Sequence, residues 1–131
     1  MKKDEIKETS LILKPSKGKG IGVFAIEDIQ KGKRLYWGKV RYLSKKVLIK
    51  NKILFFLCDE YGIEMKDKYE CPPNFQKMGL VWYLNHSKKP NMSMGKTFYF
   101  TTRKIKKGEE LIVDYKKFNE PNQQYLKEYK K

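Results

Sequence analysis

The sequence predicts a single α+β domain in which short strands outnumber helices. The chain has 131 residues, of which 40% are hydrophobic and 14% aromatic, and a chain of this size can bury a core without disulfides or a metal. Most of the apolar residues occur in short runs that glycine or proline separates, which is typical of strands and turns. One longer stretch has helical spacing, and the strands do not alternate with helices as they do in a parallel doubly wound sheet.

Three strands are predicted in the first third of the chain. Residues 11–13 form an apolar strand that leads into a glycine-rich turn at residues 16–22. Residues 23–26 form the second strand. Residues 35–43 mix aromatic and β-branched side chains, which favours a third strand.

Residues 45–60 are predicted as one helix. Ile49, Ile53, Phe56 and Leu57 recur at helical spacing and are expected to form its apolar face. Gly62 follows them and is expected to end the helix.

The second half of the chain predicts further short elements. Residues 75–84 read as a short helical segment that follows a pair of prolines. Residues 92–94 and 97–102 are expected to form a hairpin, and residues 111–115 a closing strand. Residues 121–131 are predicted as a terminal helix.

Lysine dominates the charge of the chain. Thirty basic residues against 15 acidic ones give a net charge of +15, and 27 of the 30 are lysine. A charge of this size attracts polyanions, so nucleic acid is one expected partner. Arginine, which makes bidentate contacts to phosphates and bases, occurs only three times, so a solvated basic surface is the favoured interpretation.

Cys58 and Cys71 are the only cysteines, and neither belongs to a C-x-x-C pair. Together with one histidine, His86, they do not provide the ligands of a structural zinc site, so no metal is expected. Both thiols are expected to be free and at least partly buried, as in a reducing compartment. No apolar run reaches the roughly 18 residues of a membrane span and no secretory signal is visible, so we expect a soluble intracellular protein without a membrane partner.

Three segments carry glycine or polar patterns, but none of them alone identifies an activity. Residues 17–24 match neither a Walker loop nor a Rossmann fingerprint, and a hairpin turn is the favoured interpretation. His86 has no carboxylate close to it in sequence and no nucleophile motif, so a hydrolase is poorly supported. Glu109 and Glu110 have the chemistry of acid–base carboxylates, but a turn followed by a strand explains them more simply.

Taken in order, four segments resemble the SET-domain protein lysine methyltransferases. They are Gly20-Ile21-Gly22-Val23-Phe24-Ala25, Tyr36-x-Gly38, Asn85-His86-Ser87-x-x-Pro90-Asn91 and Gly108-Glu109-Glu110-Leu111-x-x-Asp114-Tyr115. The last two motifs are specific, and their order and separation match the family. The likeness covers about residues 16–115.

The resemblance implies a particular architecture. Members of the family have small curved sheets of the β-clip type and a C-terminal pseudoknot, in which the segment that matches residues 111–115 threads through a loop near the Asn-His-Ser motif. The whole chain, residues 1–131, would form one SET-like domain, with its core at about residues 10–118 and a C-terminal helical segment at residues 119–131.

The resemblance also implies S-adenosylmethionine as the methyl donor and assigns roles to individual residues. The cofactor would lie against Lys19, Gly20, Ile21, Gly22, Tyr83, Asn85 and His86. Tyr115 would be the catalytic tyrosine and Tyr36 a second one. Tyr36, Val113 and Phe118 would line the channel for the substrate lysine.

Several positions depart from the family pattern. Lys88 stands where many members have a cysteine, and no cysteine follows Tyr115. The zinc-binding post-SET module is therefore missing, as is a cysteine-rich pre-SET region. Phe118 and residues 121–131 are expected to cover the channel in its place. Trp82 stands where arginine is common.

The expected function is methyl transfer to a lysine of a histone or another basic protein, in the cytoplasm of a bacterium or at the chromatin of a viral or eukaryotic system. A homodimer is compatible with the sequence. The alternative is a catalytically silent SET-like adaptor that binds nucleic acid or protein. Acidic residues between positions 59 and 70 would either line a groove for a basic substrate or simply solvate a loop.

Overall fold

Ten strands and two short helices form the described part of the protein, and the strands are arranged in three small sheets. The structure, a computed structural model, describes residues 4–114. The strands are β1 Leu11–Ser16, β2 Gly20–Ala25, β3 Arg34–Tyr36, β4 Arg41–Ser44, β5 Ile63–Glu64, β6 Lys68–Cys71, β7 Asn85–His86, β8 Met92–Met94, β9 Phe98–Thr101 and β10 Glu110–Val113. The helices are α1 Lys45–Leu48 and α2 Lys52–Tyr61, and 3-10 turns span Glu8–Ser10, Phe75–Lys77 and Leu80–Tyr83. The predicted α+β class, mostly β with small sheets, is confirmed.

The strand order places the last described strand inside the first sheet. The sheet orders are β1-β2-β10-β7, β3-β9-β8 and β4-β6-β5. β1 and β2 form an antiparallel hairpin that pairs Leu11 with Ala25. β10 lies between β2 and β7, antiparallel to the first and parallel to the second. This insertion brings residues 85–86 next to the first hairpin.

Both predicted hairpins are present. In the first, residues 17–19 make the turn, so it is shorter than the predicted 16–22, and Gly20 already belongs to β2. Gly20 has a φ of +77°, in the left-handed region that favours glycine. In the second hairpin, β8 and β9 pair Met94 with Tyr99.

The single strand predicted at residues 35–43 is wrong. β3 ends at Tyr36, and β4, which begins at Arg41, belongs to a different sheet. Gly38 lies between them with a φ of +67°, a conformation outside the range of strands. The chain therefore changes sheets at this glycine.

The single helix predicted at residues 45–60 is also wrong, because the backbone of Asn51 is extended, with φ −135° and ψ 93°. The Asn51 side chain accepts a hydrogen bond from the Leu54 amide at 3.1 Å, which caps the start of α2. Two helices therefore replace one. α2 ends at Tyr61, directly before Gly62, as predicted.

Three of the four residues of the apolar face predicted for this helix are exposed to solvent, and the fourth, Leu57, is half-buried. Ile49, Ile53 and Phe56 are 71%, 77% and 61% exposed. The side that packs inward carries Leu54 and Cys58, which belong to a small hydrophobic cluster under α2. Both sides of α2 are apolar, so their spacing does not distinguish the buried side from the exposed one.

The core consists of two clusters. The main cluster includes Val23, Leu111 and Val113, all fully buried, and it extends across the first two sheets. The smaller cluster contains Cys58 and Cys71, whose Sγ atoms are 3.3 Å apart. Both thiols are free and buried, as predicted, and burial raises the pKa of each.

The short helical segment predicted at residues 75–84 consists of two separate 3-10 turns, Phe75–Lys77 and Leu80–Tyr83. Gly79 between them is extended, with φ −68° and ψ 161°. Within residues 4–114, no helix has the length and apolarity that crossing a membrane requires.

Three predictions concern residues that the structure does not describe. Tyr115 at the end of the closing strand, Phe118 and the terminal helix at residues 121–131 all lie outside the described residues.

Candidate functional site

A surface pocket of about 210 Å³ lies where three distant stretches of the chain meet. It is lined by Lys19, Gly20 and Ile21 of the first hairpin, by Glu60 and Tyr61 at the end of α2, and by Trp82, Tyr83, Leu84 and Asn85 ahead of and in β7. Five of the seven predicted cofactor residues line this pocket: Lys19, Gly20, Ile21, Tyr83 and Asn85. Gly22 and His86 lie beside it in the chain but do not line it.

Strand pairing and two side-chain hydrogen bonds bring these stretches together. β10 pairs with β2 on one side and with β7 on the other, which places Asn85 near Ile21. The Asn85 side chain donates from Nδ2 to the Ile21 carbonyl oxygen at 3.2 Å. Lys19 Nζ donates to the carbonyl oxygen of His86 at 2.7 Å. The hairpin and β7 are thus joined by two side-chain hydrogen bonds.

The carboxylate of Glu110 supports Asn85, which lines the pocket. Glu110, the first residue of β10, accepts a hydrogen bond from Asn85 Nδ2 at 2.7 Å and another from Ser16 Oγ at 2.8 Å. Gly22 makes room for it, because a Cβ atom on Gly22 would lie 2.2 Å from Glu110 Oε2. The glycine at position 22 is therefore explained by its close packing against Glu110 and not by the turn of the hairpin.

The His86 side chain contacts Asp114 and does not line the pocket. Its Nδ1 lies 3.7 Å from Asp114 Oδ1, and both side chains are largely buried. The sequence near His86 contains no carboxylate, but the parallel pairing of Val113 with His86 brings Asp114 next to it. A carboxylate at Nδ1 orients the imidazole ring, so Asp114 is a partner of His86 that the sequence did not indicate.

Asn91 fixes the position of β10. Its buried side chain donates from Nδ2 to the Glu110 carbonyl oxygen at 2.8 Å and accepts at Oδ1 from the Ile112 amide at 2.9 Å. The side-chain amide thus replaces a neighbouring strand for two backbone groups of β10. Because Glu110 is the first residue of this strand, Asn91 also fixes the carboxylate behind the pocket.

Tyr36 lies in another sheet and does not line the pocket. Its ring packs against Phe98, with centroids 5.4 Å apart, and its hydroxyl accepts from Arg34 Nη1 at 3.4 Å. The Arg34 guanidinium lies 4.4 Å above the Phe98 ring. The surroundings of Tyr36 are therefore an aromatic surface with a cation beside it. Val113 is buried in the main core, and Tyr115 and Phe118 lie outside the described residues.

Three of the five acidic residues between positions 59 and 70 have side-chain partners within the protein: Asp59, Glu64 and Glu70. Glu64 pairs with Lys45 at 2.5 Å, and Asp59 accepts from the Tyr69 hydroxyl at 3.2 Å. Burial raises the pKa of Glu70. Asp59 and Glu64 therefore have contacts inside the protein, whereas burial disfavours the charged form of Glu70.

Sequence reasoning missed four of the pocket residues and the carboxylate behind them. Glu60, Tyr61 and Leu84 carry no motif, and Trp82 was noted only as a departure from the family pattern. Tyr61 and Tyr83 come together as a ring pair with centroids 5.8 Å apart, a contact between α2 and the turn before β7. Only the tertiary structure reveals such a pair.

The comparison with known protein families gives one match. A family model described as "SET domain" matches residues 20–116, about three quarters of the chain. The matched range begins at the glycines of β2 and includes β7, β10 and most of the pocket residues. No curated protein matches the chain significantly.

Proposed function

Since the chain belongs to the SET-domain family, whose usual function is lysine methylation, we propose that it is an S-adenosylmethionine-dependent protein-lysine N-methyltransferase. The observation that carries this proposal is the convergence of Lys19, Gly20, Ile21, Tyr83 and Asn85 on one pocket. These residues come from two segments of the chain that are more than 60 residues apart in sequence.

The chemistry of the pocket fits the proposed cofactor. The rings of Tyr61 and Tyr83 offer apolar surface to a purine. Lys19 provides a cation for a carboxylate, and Asn85 and Glu60 provide oxygen acceptors for an ammonium group and for hydroxyls. An adenosyl amino acid carries all of these groups. When bound, it supplies a methyl group that the sulfonium charge already activates.

The chain must then supply a neutral lysine amine. With a pKa near 10.4, deprotonating lysine at pH 7 costs about 4.6 kcal/mol, that is, about 3.4 units at about 1.36 kcal/mol each. Loss of water and a nearby positive charge both lower the pKa of an amine. Arg34 supplies such a charge beside Tyr36, and the ring of Phe98 supplies apolar surface. We assign to this surface the entry of the substrate lysine.

Orientation supplies the rest of the rate acceleration. A well-placed nucleophile within about 3–3.5 Å of the atom it attacks gains several kcal/mol from orientation alone. The hydroxyls of Tyr36 and Tyr115 are proposed to direct the lone pair of the amine. Since the attack is direct, no side chain has to act as a covalent nucleophile.

The proposed substrate is a lysine exposed on a histone or another basic protein, inside the cell where the methyl donor occurs. Radiolabelled methyl transfer to purified histones and to a cell lysate tests the activity, and mass spectrometry of the labelled proteins identifies the substrate. Tyr115→Phe is expected to bind S-adenosylhomocysteine normally and to lose turnover by orders of magnitude. Tyr42→Phe is the matched control, because the Tyr42 ring is exposed and lies on β4, away from the pocket.

A different result would favour the adaptor. If the protein transfers no methyl group but binds DNA with a steep dependence on salt, its charge of +15 rather than its pocket carries the function. Near-normal turnover of Tyr115→Phe would contradict the role given to that tyrosine.

A further inference from the structure

We infer that Glu110 is a positioning residue that fixes the orientation of the Asn85 side-chain amide, so that the carbonyl oxygen of Asn85 faces the pocket. The inference rests on the proposed function, because the ligand it concerns is the amino-acid part of an adenosyl donor. The family resemblance implies no role for this carboxylate.

The hydrogen bonds of Asn85 define its orientation. Both hydrogens of Nδ2 have acceptors: the Ile21 carbonyl oxygen at 3.2 Å and Glu110 Oε2 at 2.7 Å. If the amide were rotated by 180°, its oxygen would face these two acceptors, and neither bond would form. Among residues 4–114, no hydrogen bond to Asn85 Oδ1 is made, and Asn85 lines the pocket. The oxygen is therefore available to a ligand that donates.

Glu110 is itself held in place. The buried hydroxyl of Ser16 donates to its Oε1 at 2.8 Å, and the missing side chain of Gly22 leaves space for its Oε2. Asn91 fixes the backbone at the same residue. A carboxylate held at its Oε1 and at its backbone can orient a neighbour, because it does not move away when that neighbour turns.

The adjacent carboxylate behaves differently and provides a control. Glu109 pairs with Arg103 Nη2 at 3.0 Å and accepts from the Lys106 amide at 2.8 Å, away from Asn85. These contacts lower the pKa of Glu109. Glu109 is therefore a carboxylate next to Glu110 in sequence that lacks the contact of Glu110 with Asn85.

An acceptor that faces the pocket suits an ammonium group, because a charged donor forms the stronger hydrogen bond. Two probes separate this contact from the rest of the pocket. S-adenosylhomocysteine carries the α-ammonium group, whereas 5′-methylthioadenosine has the same nucleoside without the amino-acid part. If Asn85 loses its orientation, the affinity for S-adenosylhomocysteine should fall, whereas the affinity for 5′-methylthioadenosine should stay the same.

The test measures equilibrium binding of both probes by calorimetry, without any turnover. Glu110→Leu is expected to weaken the binding of S-adenosylhomocysteine about tenfold or more. It should weaken the binding of 5′-methylthioadenosine less than about twofold. Glu110→Gln should bind both within about threefold of the unchanged protein, because its oxygen can accept from Asn85 while its amide donates to Ser16 Oγ. Glu109→Gln should bind both ligands normally.

A second variant keeps the inference testable if Glu110→Leu does not fold. Glu110→Asp retains the charge but is one methylene too short to reach both partners, and it should show the same selective loss. Equal loss of both probes would overturn the inference and indicate a general structural role. Loss in Glu110→Gln with retention in Glu110→Asp would overturn it in favour of charge. If the unchanged protein binds neither probe, the proposed function fails and the inference with it.

Discussion

Replacing Gly22 with alanine is expected to weaken binding of S-adenosylhomocysteine about 30-fold while the protein stays folded. Gly22 is not among the glycines with positive φ, so its backbone accepts an alanine. The added Cβ would lie 2.2 Å from Glu110 Oε2 and 2.8 Å from Asn85 Nδ2. The perturbation is thus a steric one, directed at the hydrogen bond between these two side chains.

The size of the effect follows from this geometry. Ordinary contact begins at 3.4 Å, so Oε2 has to move by about 1.2 Å, and its 2.7 Å hydrogen bond to Asn85 breaks. Once Asn85 turns, the ligand ammonium loses its charge-assisted hydrogen bond to Asn85 Oδ1, which contributes about 1.5–3 kcal/mol, and about 2 kcal/mol corresponds to about 30-fold in a dissociation constant. Alanine also restricts the unfolded chain, which offsets part of the loss in stability by about 0.4–1 kcal/mol.

Gly79→Ala is the matched control for this measurement. Gly79 has a φ of −68°, and a Cβ there would meet no atom within 4 Å. Both variants are titrated with S-adenosylhomocysteine, and their thermal unfolding is compared. If Gly22→Ala binds the ligand within about twofold of Gly79→Ala, the contact between Glu110 and Asn85 does not support the pocket and the reasoning is refuted.

Four further predictions concern stability and methyl transfer. Asn91→Leu leaves two backbone groups of β10 without partners, at about 1–3 kcal/mol each, and should lower the free energy of unfolding in urea; an unchanged midpoint would contradict this. Burial raises the pKa of Cys58 and Cys71 above the ordinary 9.0, so their contribution to stability is complete below pH 9 and declines as pH rises further; replacing both with alanine should flatten this decline. Burial also raises the pKa of Glu70 above 4.5, so Glu70→Gln should stabilise the fold at pH 7 and lose this advantage below pH 4.5. Removing residues 119–131 should abolish methyl transfer more than folding, and an unchanged rate in the truncated protein would reject their proposed role at the channel.

The elements that the sequence predicted well depend on neighbours in the chain. The hairpins of β1 with β2 and of β8 with β9 have alternating or apolar strands and a glycine at or near the turn, so local preferences are sufficient. The end of α2 at Gly62 is equally local. The order of the four motifs identified the family, and the family model confirms it.

The errors arose where tertiary contacts decide between similar local patterns. Ile53 and Leu54 are both apolar, and the small cluster beneath α2 determines that Leu54 packs inward while Ile53 is exposed. A capping asparagine at position 51 ended the first helical turn, although the spacing continued past it. Tyr61 reaches the pocket only through the docking of α2, so no motif could indicate it.

The insertion of β10 has a consequence for how the protein is made. Ser16 and Glu110 are 94 positions apart, so the rear support of the pocket is absent until the ribosome has released nearly all of the described chain. Until then, the edges of β2 and β7 that β10 will pair with are open, and open strand edges invite wrong pairing in a nascent chain. Contacts between such distant residues also form slowly. The newly synthesised protein is therefore expected to gain affinity for an adenosyl ligand only in its last folding step.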